Sequence, residues 1–151
     1  MDRHLEKFSR EVIEIMPFIV REFAKREDNE LTRGKISCSQ MVTLDYVSRH
    51  TRVPLTEIAH ALGTKNSSAS ILVNRLIQQK MLSRRRDEDD RRVVWISATA
   101  KGRKVLSQIL TQKRYGVREV FKPLTVRERG QYLSLLNKVK AHIISEQEKL
   151  R

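Results

Sequence analysis

Residues 82–99 read LSRRRDEDDRRVVWISAT, a segment that few folds accommodate. Three arginines (Arg84, Arg85, Arg86) end one extended run, four acids follow, and Arg91 and Arg92 open a second run. That second run, Val93-Val94-Trp95-Ile96-Ser97, is β-branched and aromatic, as a strand requires. The spacing predicts a β-hairpin with a basic tip. Such a tip suits a duplex minor groove, where concentrated negative potential attracts guanidinium. Asp87, Glu88, Asp89 and Asp90 read as a solvated turn balancing the arginines rather than as paired catalytic acids.

Two short helical patterns precede the hairpin. The first, 55–62, closes at Gly63, a natural left-handed cap. The second runs from about Asn66 to Lys80. On a helical wheel Ala69, Leu72, Val73, Leu76 and Ile77 share one face, which is predicted core. The opposite face holds Ser67, Ser70, Ile71, Asn74, Arg75 and Gln78, with Ser68 at its border and Lys65 just before the helix. In a major groove, small serines permit close approach, Ile71 meets thymine methyls, and Asn74 or Gln78 addresses adenine. A solvated face with one stray isoleucine is the plainer reading of the helix alone. Helix, turn, helix, then basic hairpin is the order of a winged helix-turn-helix, and that order favours groove contact.

The remaining chain reads as helices. Residues 5–27 carry Leu5, Phe8, Val12, Ile15, Met16, Ile19, Val20 and Phe23 at helical spacing, with Pro17 expected to bend the axis. Residues 28–36 are polar and read as a loop. Ser37 and Gln40 form a capping box for a helix to about His50, ended by Thr51-Arg52-Val53-Pro54. Thr99 caps a helix from about Ala100 to Phe121. Thr125 and Glu128 form a second capping box for a last helix, whose stripe is Leu133, Leu136, Val139, Ile143 and Ile144. Residues 1–151 are expected to be one domain, mostly α with a small β-hairpin wing.

The 31 Lys+Arg against 18 Asp+Glu give a formal net charge of +13, which favours a polyanion partner. One cysteine, Cys38, precludes an internal disulfide and suits a reducing cytosol. No signal peptide or membrane span is evident, so a cytoplasmic protein without membrane attachment is expected. Five scattered glycines offer no phosphate-cradling loop, and no catalytic constellation, metal site or cofactor motif presents itself. His4, His50, His60 and His142 lie far apart; only His60 has a neighbouring ligand type, Glu57. A non-enzymatic protein is expected.

The stretch Asp90-Arg91-Arg92, VVWIS, Ala98-Thr99, Lys101-Gly102 resembles the wing signature of the MarR family of bacterial regulators. The order of six helices and one hairpin agrees over nearly the whole chain. The resemblance implies a homodimer built by the N- and C-terminal helices (1–36 and 122–151), a winged helix-turn-helix over 37–98 and a connecting helix over 99–121. It implies that Arg92 enters the minor groove and that Asp90 braces the wing by pairing with arginine. Arg91 and Arg86 then read as phosphate contacts. Two positions depart from the pattern: Ala98 replaces a usual leucine, and Lys80 a usual glycine, which asks a non-glycine to take a left-handed turn.

The resemblance further implies a sequence-specific regulator of double-stranded DNA, a repressor more readily than an activator, released by a small aromatic or phenolic ligand. Phe18, Met41, Tyr46 and Tyr115 are candidate walls for such a ligand, although helical aromatics are more often plain core. Cys38, at a helix N-terminus where the dipole favours an anion, is a candidate redox residue, with an inert first-turn residue as the plainer reading. Two rival functions stand beside the regulator: a sequence-tolerant architectural DNA-binding protein, and a winged-helix protein-interaction module.

Overall fold

The computed structural model describes residues 2–31, 33–90 and 93–149. Among them are six helices and three strands: α1 (Arg3–Lys25), α2 (Cys38–Ser48), β1 (Val53–Pro54), α3 (Leu55–Ala61), α4 (Asn66–Gln78), β2 (Leu82–Arg86), β3 (Val94–Ala98), α5 (Ala100–Val120) and α6 (Val126–Lys149). The expected winged helix-turn-helix is present. The chain divides into two compact units, one of residues 24–114 and one formed by the N-terminal segment to Phe23 with the C-terminal segment from Tyr115.

The core of the 24–114 unit draws Leu44 and Val47 from α2, Ile58 from α3, Val73 and Leu76 from α4, and Val105, Leu106 and Ile109 from α5. The sheet adds Val53, Leu82, Ile96 and Ala98 to the same cluster. Burial of these side chains drives the unit together, each contributing roughly 1.5–3 kcal/mol if it is of leucine size. Ala98 is itself buried, so a small side chain fits where the wing meets the core.

The sheet has one strand more than the hairpin predicts. Its order is β1-β3-β2, all antiparallel, with Val53 opposite Ile96 and Pro54 opposite Trp95. Sequence reading treats Val53-Pro54 only as a helix breaker, because two residues are too short to show an alternating pattern. Pro54 lacks an N–H and is tolerated on an edge strand, where β1 lies. The hairpin pairs Leu82 with Ala98 through Arg86 with Val94. Val93, expected in the strand, instead closes the turn: its N–H donates to the Asp90 carbonyl, and its carbonyl accepts from Asp87.

Caps fix the helix ends where the sequence places them. Ser37 Oγ accepts from the Gln40 N–H, and Gln40 Oε1 accepts from the Ser37 N–H. Gly63 takes φ 62° after α3, and Lys80 takes φ 60° after α4. Lys80 forms a Schellman turn in which its N–H donates to Ile77 O and the Met81 N–H donates to Leu76 O, both at 2.8 Å. These bonds offset the roughly 1–2 kcal/mol that a non-glycine loses in this conformation.

The polar segment after α1 is less solvated than its composition suggests. Glu27 and Asn29 are buried. Gln112 of α5 accepts from the Asp28 N–H and Asn29 Nδ2, and donates from Nε2 to the Asp28 carbonyl. The loop is thereby sewn to α5 across more than eighty residues of sequence.

In the other unit, α1 continues through Pro17, and Phe23, Phe121 and Tyr132 stack with ring centroids 6.1 and 5.0 Å apart. The capping box before α6 forms, with the Thr125 N–H donating to Glu128 Oε2 at 2.7 Å and the Glu128 N–H to Thr125 Oγ1 at 3.3 Å. Yet α1 buries no residue, and Leu5, Phe8, Phe18, Leu133, Leu136, Val139 and Ile143 are all exposed. Val12, Ile19 and Phe23 of the α1 stripe are half-buried, but most of both apolar stripes stays exposed among the described residues.

Candidate nucleic-acid interface

Ala69, Val73 and Leu76 anchor α4 in the core, so its opposite face is turned outward. Lys65, Ser67, Ser68, Ile71, Arg75 and Gln78 are exposed, and Ser70 and Asn74 are half-buried. Ile71 is 53% exposed, an apolar residue left in water amid polar neighbours. Leu72 and Ile77, expected in the core, are only half-buried at its margin. Leu72 instead borders a shallow groove with Val42, Leu62 and Cys38, the exposed first residue of α2.

Asn74 does not stand free on this face. Its Oδ1 accepts from Nη2 of Arg84 at 2.7 Å, and its Nδ2 donates to Ser70 Oγ at 3.4 Å. Sequence reading counts Arg84 only among the arginines of the basic hairpin. The period of the strand could have found it: Arg84 lies two residues after buried Leu82, hence on the strand face that leads toward α4.

The α4 C-terminus is held from α5. Thr99 Oγ1 lies 2.8 Å from the Lys80 carbonyl and 3.1 Å from that of Met81, and it accepts from the Gly102 N–H at 3.0 Å. Lys101 Nζ donates to the Gln79 carbonyl at 2.8 Å, placing a cation at the negative end of the α4 dipole. The Lys101-Gly102 pair of the signature therefore fixes the outward helix in place.

The hairpin turn is organised by Asp87, not merely solvated. Its Oδ1 accepts from the N–H groups of Asp89 and Asp90 at 2.9 and 3.1 Å, and its Oδ2 accepts from Trp95 Nε1 at 2.6 Å. The guanidinium of Arg52 lies 4.2 Å from the centre of the Trp95 ring. Arg85 pairs with Glu88, while Arg86 is exposed. Arg91 and Arg92, and with them the expected pairing of Asp90 with arginine, lie outside the described residues.

The Trp95 indole first, then the two backbone donors, hold the Asp87 carboxyl below its ordinary range. Because its folded value is the lower one, its contribution to wing order is complete above the unfolded value and is lost as pH falls through the folded one. Trp95 is the only tryptophan, so its emission reports the event. Acid titration of that emission should show a transition below the usual carboxylate midpoint of about 4. Asp87→Asn should abolish it; a transition that survives in the variant rules the assignment out.

The four candidate ligand-wall residues are divided between the units. Met41 and Tyr46 pack against the core of the 24–114 unit, and Tyr46 Oη donates to Glu57 at 2.8 Å. That bond, foremost, raises the Tyr46 pKa. Phe18 and Tyr115 belong to the other unit and are exposed, with Arg21 over the Phe18 ring at 5.6 Å. Among the described residues, no three His, Cys, Asp or Glu side chains are grouped to hold a metal ion, and no helix is long and apolar enough to cross a membrane.

Comparison with known proteins agrees with this arrangement. Residues 28–109 match the family model described as transcriptional regulator SarA/Rot. The chain is 26% identical over 96 residues to the uncharacterized HTH-type transcriptional regulator YwhA of Bacillus subtilis, covering 64% of this chain and 69% of that protein. It is 24% identical over 99 residues to the transcriptional repressor MprA of Escherichia coli, covering 66% of this chain but only 56% of MprA. The crystal structure of apo MarR from E. coli superposes with a TM-score of 0.66 at 20% identity, covering 87% of this chain and 94% of that one. The chain belongs to the SarA/Rot family of transcriptional regulators and shares the fold of the MarR structure.

Proposed function

We propose that this regulator is a cytoplasmic repressor that binds a pseudo-palindromic operator as a homodimer. One observation carries the reading: a serine-lined, outward face of α4 and an arginine-bearing hairpin are built onto the same compact unit. The polar face of α4 enters the major groove, with Lys65, Arg75 and Arg86 near phosphates and Arg92 in the flanking minor groove. The net charge of +13 supplies sequence-independent affinity on which base reading is superimposed.

The terminal helices, α1 within 1–36 and α6 within 122–151, supply the dimer contact. The many exposed apolar side chains along α1 and α6 support this, since apolar residues clustered on a water-facing helix call for a partner. Two-fold symmetry then sets the half-sites about one helical turn (~10 bp) apart. Release follows when a small aromatic or phenolic acid, contacting residues among Phe18, Met41, Tyr46 and Tyr115, stabilises a conformation with lower affinity for DNA.

Footprinting of the purified protein on the DNA upstream of its own gene tests the reading, because site, symmetry and spacing emerge together. Preference over random duplex by about 10³-fold or more at physiological salt is expected. Equal affinity for all duplexes would instead make it an architectural binder. Arg92→Ala should weaken operator binding by roughly 1–3 kcal/mol with the melting curve unchanged. An unaltered operator affinity would remove the wing tip from the mechanism.

A further inference from the structure

We propose that Arg84, held in place by Asn74, is a specificity-determining residue that reads a guanine in the major groove, so that Asn74 serves as its brace and not as an adenine reader. This inference rests on the DNA-binding reading above. An asparagine that recognises adenine uses both ends of its amide: Oδ1 accepts from the base N6 amino group and Nδ2 donates to N7. Here each end already has a partner within the protein, which takes one Oδ1 lone pair and one Nδ2 donor and fixes the amide's orientation toward Arg84. Oδ1 receives an Arg84 N–H at 2.7 Å, and Nδ2 is turned to Ser70 Oγ.

The guanidinium has more donors to offer. It carries five N–H groups in a planar fork, and the bond to Asn74 uses one. Those remaining include an adjacent pair with the geometry of the O6 and N7 acceptors of guanine. A guanidinium steered by a fixed amide is pre-organised, so less side-chain entropy is lost when it meets a base. Buried Leu82 on one side of Arg84 in the chain, and buried Ile96 opposite it across the strands, fix its backbone.

The neighbouring arginines are placed for other work. Arg85 sits opposite Trp95 on the alternate strand face and is paired with Glu88. Arg86 lies at the end of the strand beside the acidic turn. Among the three, Arg84 is the one hydrogen-bonded to the outward face of α4. Its exposed neighbours there, Ile71 and Gln78, would read adjacent bases.

In vitro selection from a random duplex library, run with the full chain and with Arg84→Ala, Arg84→Lys and Asn74→Ala, tests the assignment. The wild type should enrich a motif containing a guanine at one position of each half-site. Arg84→Ala should lose preference at that position alone, Arg84→Lys, whose ammonium can still donate to O6 and N7 but lacks the planar fork, should keep only a weakened preference there, and Asn74→Ala should relax the same position. Replacing that guanine by 7-deazaguanine should weaken wild-type binding about tenfold and leave Arg84→Ala unaffected. Thermal melts confirm that each variant is folded, and Arg84→Lys retains the charge should the alanine variant fail.

Two results overturn the assignment while leaving DNA recognition intact. In one, Arg84→Ala keeps the wild-type motif with uniformly weaker affinity, the behaviour of a phosphate contact. In the other, Asn74→Ala erases an adenine while both arginine variants keep the full motif. A wild-type protein that enriches no motif overturns this inference and the DNA-reading proposal together.

Discussion

Gly102→Ala is expected to destabilise the fold by about 3 kcal/mol, the upper end for forcing an atom into packed surroundings. A Cβ at this position would lie 2.1 Å from the Met81 carbonyl oxygen, 2.9 Å from its carbonyl carbon and 3.1 Å from Leu44 Cδ1. The first two obstacles are backbone, so no flexible side chain can swing aside. Relief requires the start of α5 to move away from the Lys80–Met81 turn. That displacement would stretch the Thr99 contacts to both carbonyls and the Lys101 bond to Gln79.

For a chain of this size, a loss of that order lowers the melting temperature by roughly 6–12 °C. A circular dichroism melt measures it. Gly130→Ala, in α6 with open space around the added methyl, is the internal control. There a helical glycine becomes alanine, and a gain of up to ~1 kcal/mol is expected. If the two alanine variants melt alike, the close approach at Gly102 has no energetic consequence. The same displacement would shift the C-terminus of α4, so operator affinity should fall alongside stability.

Gly102 illustrates what was legible in the chain. As half of a Lys-Gly signature it is visible in sequence, but its reason, a carbonyl twenty-one positions earlier, is not. Features governed by nearest neighbours read well: the Ser37–Gln40 and Thr125–Glu128 capping boxes and the β-branched, aromatic wing strand. Each depends on residues within a few positions of one another. Features governed by chain crossing did not read. Strand β1 exists only because Ile96 and Trp95 lie alongside it.

The buried Asn29 is invisible without Gln112, eighty-three residues away. Asp87 looks like one of four equivalent acids until the hairpin closes and brings the Trp95 indole to it. At the candidate interface the outward face of α4 was plain from periodicity, whereas the tie between Asn74 and Arg84 required two elements to be set side by side. Local rules thus locate the surface, and tertiary contacts decide which of its donors are already engaged.

Leu136→Asp is expected to convert the protein into a monomer and to weaken binding to a full operator by about 10²–10⁴-fold, the advantage that linked half-sites confer. Leu136 lies on the α6 stripe with Leu133, Val139 and Ile143, each between 46% and 59% exposed in the single chain. An exposed surface position tolerates a charge with little effect on its own fold, usually within about 0.5 kcal/mol. The same carboxylate buried against a second apolar stripe would lose its hydration without a partner, at a cost of several kcal/mol. The substitution therefore separates association from folding. Sedimentation should show the wild type at twice the mass of the variant, and the wild-type melt alone should rise with protein concentration. Affinity for an isolated half-site should be nearly the same for both. If the variant sediments as the wild type does, the α6 stripe lies outside the dimer contact; if the wild type is itself monomeric, the symmetric operator has no basis.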